Sequence, residues 1–287
     1  MYAAIRDTRL YFDVEGAGLV PDGAAMHEKP VLFLVHGGPG SDHSGYKPLF
    51  SALADAAQLV YFDHRGQGRS ARDGDPARWT LDENVADMEA LRRHLGLGPI
   101  AVVGTSYGGM VAMAHAARHP GAVSRLVLVA TAAHGGFIAR AREILAERGT
   151  AEQQALVARC WDQGFRDDED VRHYHRVMGP LYATRFDAAA AEPALQRVAY
   201  AHGPLNAAFG PEGFLRRFDL RPELPRITAP TLVLAGAEDW ICPPEFAREI
   251  AALIAGAQLE VFEGAGHSLR TDAPDRLLAA IRRFVLG

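Results

Sequence analysis

Two cysteines in 287 residues are too few to staple a fold together. Cys160 and Cys242 lie far apart in unlike contexts and are expected to be reduced and structural, in a cytoplasmic protein. Long apolar runs are also missing. No uninterrupted stretch approaches the ~20 residues that cross a bilayer, so no membrane partner is expected. The first residues, Met1-Tyr2-Ala3-Ala4-Ile5-Arg6-Asp7, lack the apolar core of a signal peptide. Positive charge is not in excess. A formal net charge of −5 leaves no basic footprint for nucleic acid. Repeats, low-complexity segments and a P-loop are absent. Gly104-x-Ser106-x-Gly108-Gly109 is not the G-x-G-x-x-G of a dinucleotide site. His173-Tyr174-His175 has no third ligand nearby, so these are read as surface histidines and no metal is expected. Most other histidines are read as surface residues too.

Hydrophobic residues, 48% of the chain, are ample for a buried core. The runs at 31–35, 100–103, 126–130 and 231–235 do not alternate with polar residues. Such runs fit strands buried on both faces, as in a parallel sheet covered by helices. Gln58–Phe62 is a further strand. Thr80-Leu81-Asp82-Glu83 reads as a capping box opening a helix through Val85, Met88, Leu91 and Leu95 that ends near Gly96. From about Ala133 to Leu220 strand runs vanish. Ile138, Ala141, Ile144 and Leu145 predict one helix and Gln154–Trp161 a second. Tyr174, Val177, Met178, Leu181 and Tyr182 form an aromatic face that serves a pocket or a core. The expected fold class is α/β: a core of 1–132 and 220–287, with a helical cap at 133–219.

Gly104-Thr105-Ser106-Tyr107-Gly108 stands between the strand at 100–103 and a helical stretch at 110–117. Strand, tight turn and helix are the context of a G-x-S-x-G nucleophile elbow. A serine hydroxyl needs a base, and the base needs an orienting carboxylate. In such elbows the chain order is serine, acid, histidine. Downstream, Thr231–Gly236 ends at Ala237-Glu238-Asp239, and Leu259–Phe262 ends at Glu263-Gly264-Ala265-Gly266-His267. Ser106, Asp239 and His267 are therefore the candidate triad, with Glu238 the rival acid. The alternative place for the acid, Val129-Ala130-Thr131-Ala132, has no carboxylate. The run at 31–35 leads into His36-Gly37-Gly38-Pro39-Gly40. An acyl-transfer enzyme aims two amide N–H groups at the oxyanion. Tyr107 supplies one and Gly38 the other, because Pro39 has no N–H.

His36-Gly37-Gly38-Pro39-Gly40, Asp63-His64-Arg65-Gly66-Gln67-Gly68-Arg69-Ser70 and the Ser106 elbow together resemble the proline iminopeptidase family of α/β-hydrolases. Tyr107 resembles the shorter members of that family. The resemblance implies an α/β-hydrolase fold with a helical cap, the triad named above, and release of N-terminal residues, preferably proline, from short peptides. It also implies carboxylates that hold the substrate's ammonium. The sequence departs there. Trp240 follows Asp239, and the cap stretch Gly203-Pro204-Leu205-Asn206-Ala207-Ala208-Phe209 has no glutamate. Glu212 and Glu238 are candidate substitutes, and Trp240 and Tyr182 complete the candidate substrate-binding set. Without such an acid the pocket suits a neutral acyl group. Asp63, Arg65 and Arg69 are read as fixing loop geometry rather than performing chemistry. The favoured reading is a serine hydrolase that needs no cofactor and acts on a small amide or ester, releasing N-terminal residues from short peptides as the resemblance implies. The alternative within that class is an esterase, lactonase or amidase for a small apolar neutral substrate, and, more remotely, the fold binds a ligand without turnover.

Overall fold

The computed structural model describes residues 1–286. Its strands are β1 (Tyr2–Ile5), β2 (Thr8–Glu15), β3 (Leu19–Asp22), β4 (Ala25–Glu28), β5 (Val31–Val35), β6 (Gln58–Phe62), β7 (Ile100–Thr105), β8 (Val123–Val129), β9 (Thr231–Gly236) and β10 (Gln258–Phe262). The α-helices are α1 (Lys47–Phe50), α2 (Leu81–His94), α3 (Tyr107–Arg118), α4 (Gly136–Arg148), α5 (Ala151–Gln163), α6 (Asp168–Tyr182), α7 (Ala188–Arg197), α8 (His202–Phe209), α9 (Pro244–Leu253), α10 (Leu269–Asp272) and α11 (Pro274–Leu286).

Eight strands make one sheet in the order β1-β2-β6-β5-β7-β8-β9-β10. The six from β6 to β10 in that order run parallel, and β1 and β2 add an antiparallel edge. β3 and β4 form a separate exposed hairpin. Alternation of side chains along each strand splits the apolar runs between two cores. Phe33, Val35, Val102 and Leu128 join α2 and α3 on one face. Leu32, Leu34, Val103 and Val127 join α11 on the other. Both faces are dry, which is why the runs are apolar on both sides, save for Thr231, whose hydroxyl donates to the Ala229 carbonyl. Each buried Val, Leu or Phe contributes about 1.5–3 kcal/mol.

The capping box expected at Thr80 is half made. The Thr80 hydroxyl accepts from the Glu83 amide at 3.2 Å, but the Glu83 carboxylate turns to Arg6 and Arg78. The complete box lies at Thr150 and Gln153, opening α5. Between β8 and β9 the chain forms α4 to α8 and no strand of the sheet. The ends of this segment meet: the Leu220 amide donates to the Ala133 carbonyl at 2.8 Å and the Gly135 amide to Phe218 at 3.0 Å. Among the described residues no helix is long and apolar enough to cross a membrane.

Candidate active site

Parallel strands bring their carboxyl ends to one edge of a sheet. β5 delivers the loop His36–Gly40 there, β7 delivers Ser106, and β9 and β10 deliver Asp239 and His267.

Ser106 has φ 55° and ψ −122°, a conformation that L-residues rarely hold. Its amide donates to the Val129 carbonyl at 2.9 Å, and its carbonyl accepts from Thr131 Oγ1 at 2.7 Å. The neighbouring glycines permit the turn. A Cβ on Gly104 would stand 2.4 Å from the Gly108 carbonyl oxygen, and one on Gly108 would stand 2.1 Å from the Val35 oxygen. α3 begins at Tyr107, so its N-terminal dipole favours negative charge beside the serine.

Asp239 is 1% exposed. Its Oδ2 lies 2.8 Å from His267 Nδ1, and its Oδ1 accepts from the amides of Ile241 and Cys242 at 2.8 and 2.9 Å. The rival Glu238 points outward, half-exposed, toward Arg148. The loop carrying His267 is held by Asp272, a residue the sequence reading missed. Its carboxylate accepts from the amides of Gly266 (2.7 Å), Thr184 (3.1 Å) and Arg185 (2.9 Å). Ser106 and His267 line the same cavity.

The amides of the His36–Gly40 loop divide clearly. Gly37 donates to the Tyr46 hydroxyl at 2.9 Å, Gly40 donates to Gln67 Oε1 at 2.7 Å, and Pro39 has no N–H. Among the described residues the Gly38 and Tyr107 amides have no partner, and both residues line the cavity. The Tyr107 ring is buried, with its hydroxyl accepting from Asn84 at 2.6 Å, so the residue meets the site through its backbone.

The Asp63 loop is a scaffold. Asp63 accepts from the His43 amide and ring and from the Arg69 amide, all at 2.8–2.9 Å. Burial alone would raise this carboxyl, but the His43 hydrogen bond and the neighbouring imidazoles hold it low. Arg65 grips Asp87 with two contacts of 2.7 Å.

The cavity occupies about 450 Å³ and has aromatic walls, including Phe137, Trp161, Phe165, Tyr174 and Tyr182. Tyr182 meets the His267 ring edge-on at 5.4 Å between centroids. The other candidate binding residues lie elsewhere. Trp240 is fully buried behind the wall, stacked on Trp161 at 6.0 Å. The Glu212 side chain is 89% exposed on the surface and faces Arg217. Neither Glu212 nor Glu238 lines the cavity. Exposed loop positions let both acids stay hydrated, so nothing draws them inward. Two further expectations are corrected. His175 is not a surface residue: it lines the cavity and stacks on Tyr200. His36, His43, His64 and His115 are buried as well, each held by a hydrogen bond. Periodicity places a histidine on a helix face but does not say which neighbour covers that face.

A family model of the alpha/beta hydrolase fold matches residues 30–274. A proline iminopeptidase of Pestalotiopsis fici is 32% identical over 279 residues, covering 95% of this chain and 97% of that protein. The crystal structure of a proline iminopeptidase from Mycobacterium smegmatis superposes with a TM-score of 0.77 at 21% identity, covering 99% and 97% of the two chains. A thermophilic esterase from Thermogutta terrifontis superposes with a TM-score of 0.73 at 27% identity, covering 99% and 98%. The chain is thus an enzyme of the alpha/beta hydrolase family, related along nearly its whole length to proline iminopeptidases.

Proposed function

We propose that this enzyme is a serine hydrolase working through an acyl-enzyme. Ser106 Oγ attacks a carbonyl carbon. His267 takes the serine proton and returns it to the leaving group. Asp239, through its contact with Nδ1, holds the imidazole tautomer and stabilises its charged form. The Gly38 and Tyr107 amides receive the oxyanion. Water then repeats the sequence and frees the acid. One observation carries the reading: the 2.8 Å His267–Asp239 contact stands beside a left-handed serine at a strand-to-helix turn. Residues 133–219 act as the cap, since Phe137, Trp161, Tyr174 and Tyr182 from this segment share the cavity with Ser106. A cap limits water and the size of the substrate. Burial pushes the Cys160 thiol up to about 11 and raises Cys242 as well, so both thiols are inert and fit a cytoplasmic setting.

The substrate carries no ammonium beside its scissile bond and is a small ester, lactone or amide. A buried ammonium needs a carboxylate partner, and the acids expected to supply it lie outside the cavity. Asp42 lines it, but its oxygens already accept from the Ser44 amide and hydroxyl and from the Ala199 amide. The second reading is an aminopeptidase. It is supported by the relationship to proline iminopeptidases and by Asp187, an exposed lining carboxylate that spends one oxygen on capping α7. Hydrolysis of proline 2-naphthylamide, its N-acetyl analogue and short acyl esters separates the two. The first reading expects esters and the acetylated amide to be favoured. Strong preference for the free amine would reverse the order.

A further inference from the structure

One wall of the aromatic cavity is polar and has no part in the mechanism above. His175 on α6, Tyr200 before α8 and Arg270 on α10 line it. The His175 and Tyr200 rings stack at 5.3 Å and 19°. Tyr200 is 4% exposed. Among the described residues neither its hydroxyl nor the His175 ring nitrogens have a hydrogen-bond partner. Arg270 lies over the Tyr46 ring, 4.8 Å from its centroid, and among the described residues pairs with no carboxylate. Its charge acts on both His175 and Tyr200. Burial, with the Arg270 and His267 charges, pushes His175 down to about 4, so the ring is neutral near pH 7 and Arg270 supplies the positive charge.

A hydroxyl, an imidazole N–H and a guanidinium therefore border one space, and every one of them can donate. Tyr200 is buried, His175 half-buried and Arg270 reaches the solvent-exposed rim, and the one group that accepts from all three while balancing the guanidinium charge is an acceptor-only anion. Asp42 cannot fill that place, because backbone amides and Ser44 occupy it. We propose that His175, Tyr200 and Arg270 bind a carboxylate that the substrate carries away from its scissile bond. This deepens the serine hydrolase reading and rests on it for the word substrate. The binding claim stands apart from turnover. The carboxylate sits on either the acyl half or the leaving half of the substrate, and the same chemistry serves both.

Two matched pairs distinguish these sources: 4-nitrophenyl hemiglutarate against 4-nitrophenyl valerate, and 4-acetoxybenzoate against its methyl ester. In one pair the carboxylate-bearing compound is expected to show the higher kcat/KM above the spontaneous rate. That ratio is expected to fall about tenfold in Arg270→Gln and in Tyr200→Phe, the loss of a charge-assisted contact, with Arg270→Lys restoring part of it. Preference for the neutral member of both pairs, or ratios unmoved in both variants, would overturn the proposal. Calorimetric titration of Ser106→Ala with glutarate keeps the two claims separate. Saturable binding that is lost on adding Arg270→Gln supports the site even if turnover fails. No binding of glutarate or of 4-acetoxybenzoate overturns it even if esters are cleaved.

Discussion

His267 Nδ1 stands 2.8 Å from Asp239 Oδ2, while the other oxygen of Asp239 is pinned by two consecutive amides, Ile241 and Cys242. The carboxylate is thus held by its own turn as well as by the histidine. An asparagine there would present either its carbonyl oxygen or its amide NH2 to Nδ1, and the NH2, a donor, favours the wrong tautomer. Asp239→Asn is expected to lower kcat by about 10⁴-fold, as in other triads. Glu238→Gln, on the surface beside Arg148, is expected to stay near the parent. Steady-state kinetics on one activated ester rank the two variants, and the opposite ranking would reassign the acid.

Asp272 ties the histidine loop to the start of the chain after α6 through the Gly266, Thr184 and Arg185 amides. Asp272→Ala leaves these donors unmatched and frees the loop. Displacing a reacting group by about 1 Å costs up to ~10²-fold. A fall of kcat on that scale, with slower labelling by a fluorophosphonate, is expected. Unchanged kcat in a folded variant would show that the loop holds itself.

The elbow also has a packing requirement. Gly108→Ala drives a Cβ to 2.1 Å from the Val35 carbonyl oxygen, whereas Gly74→Ala meets nothing within 4 Å. Overpacking of this kind costs about 1–3 kcal/mol or more. Urea midpoints are expected to drop for Gly108→Ala and to hold for Gly74→Ala. Equal midpoints would mean that the sheet and α3 part easily.

Acid sensitivity follows from a buried histidine. His115 is fully buried, and burial outweighs its 3.0 Å contact with Glu89, holding it down to about 4. The unfolded chain takes up this proton near pH 6.5. A folded pKa below the unfolded value gives stability that is complete above about pH 6.5 and is lost as pH falls toward the folded value. The melting temperature of the parent is expected to fall from pH 7.5 to 4.5. His115→Gln should make that slope shallower. Parallel slopes would remove His115 as a cause.

The core was legible because Val31–Val35, Ile100–Val103 and Leu232–Ala235 are short and apolar on both faces, as strands of a parallel sheet covered on both sides are. The convergence of Ser106, Asp239 and His267 on one sheet edge was legible because each lies in the loop or turn that follows a parallel strand, β7, β9 or β10. The β3–β4 hairpin was not, since both of its strands are exposed and carry no burial pattern. α7 was hidden by Pro193 inside it, and α6 carries Pro180 in its last turn. The polar wall of the cavity escaped because His175 and Tyr200 are 25 positions apart and meet only through packing of α6 against the turn before α8. The surface placement of Glu212 likewise depends on tertiary context, not on its neighbours in sequence.

The central claim is that Ser106 is the nucleophile. Intact-mass and peptide mapping after treatment with a fluorophosphonate, in the parent and in Ser106→Ala, test it most directly. One covalent adduct on the peptide bearing Ser106 is expected. Ser106→Ala should show no adduct and a loss of turnover on the order of 10⁴- to 10⁶-fold, with an unchanged melting temperature. An adduct on another residue, or a variant that keeps turnover within about tenfold of the parent, would contradict it.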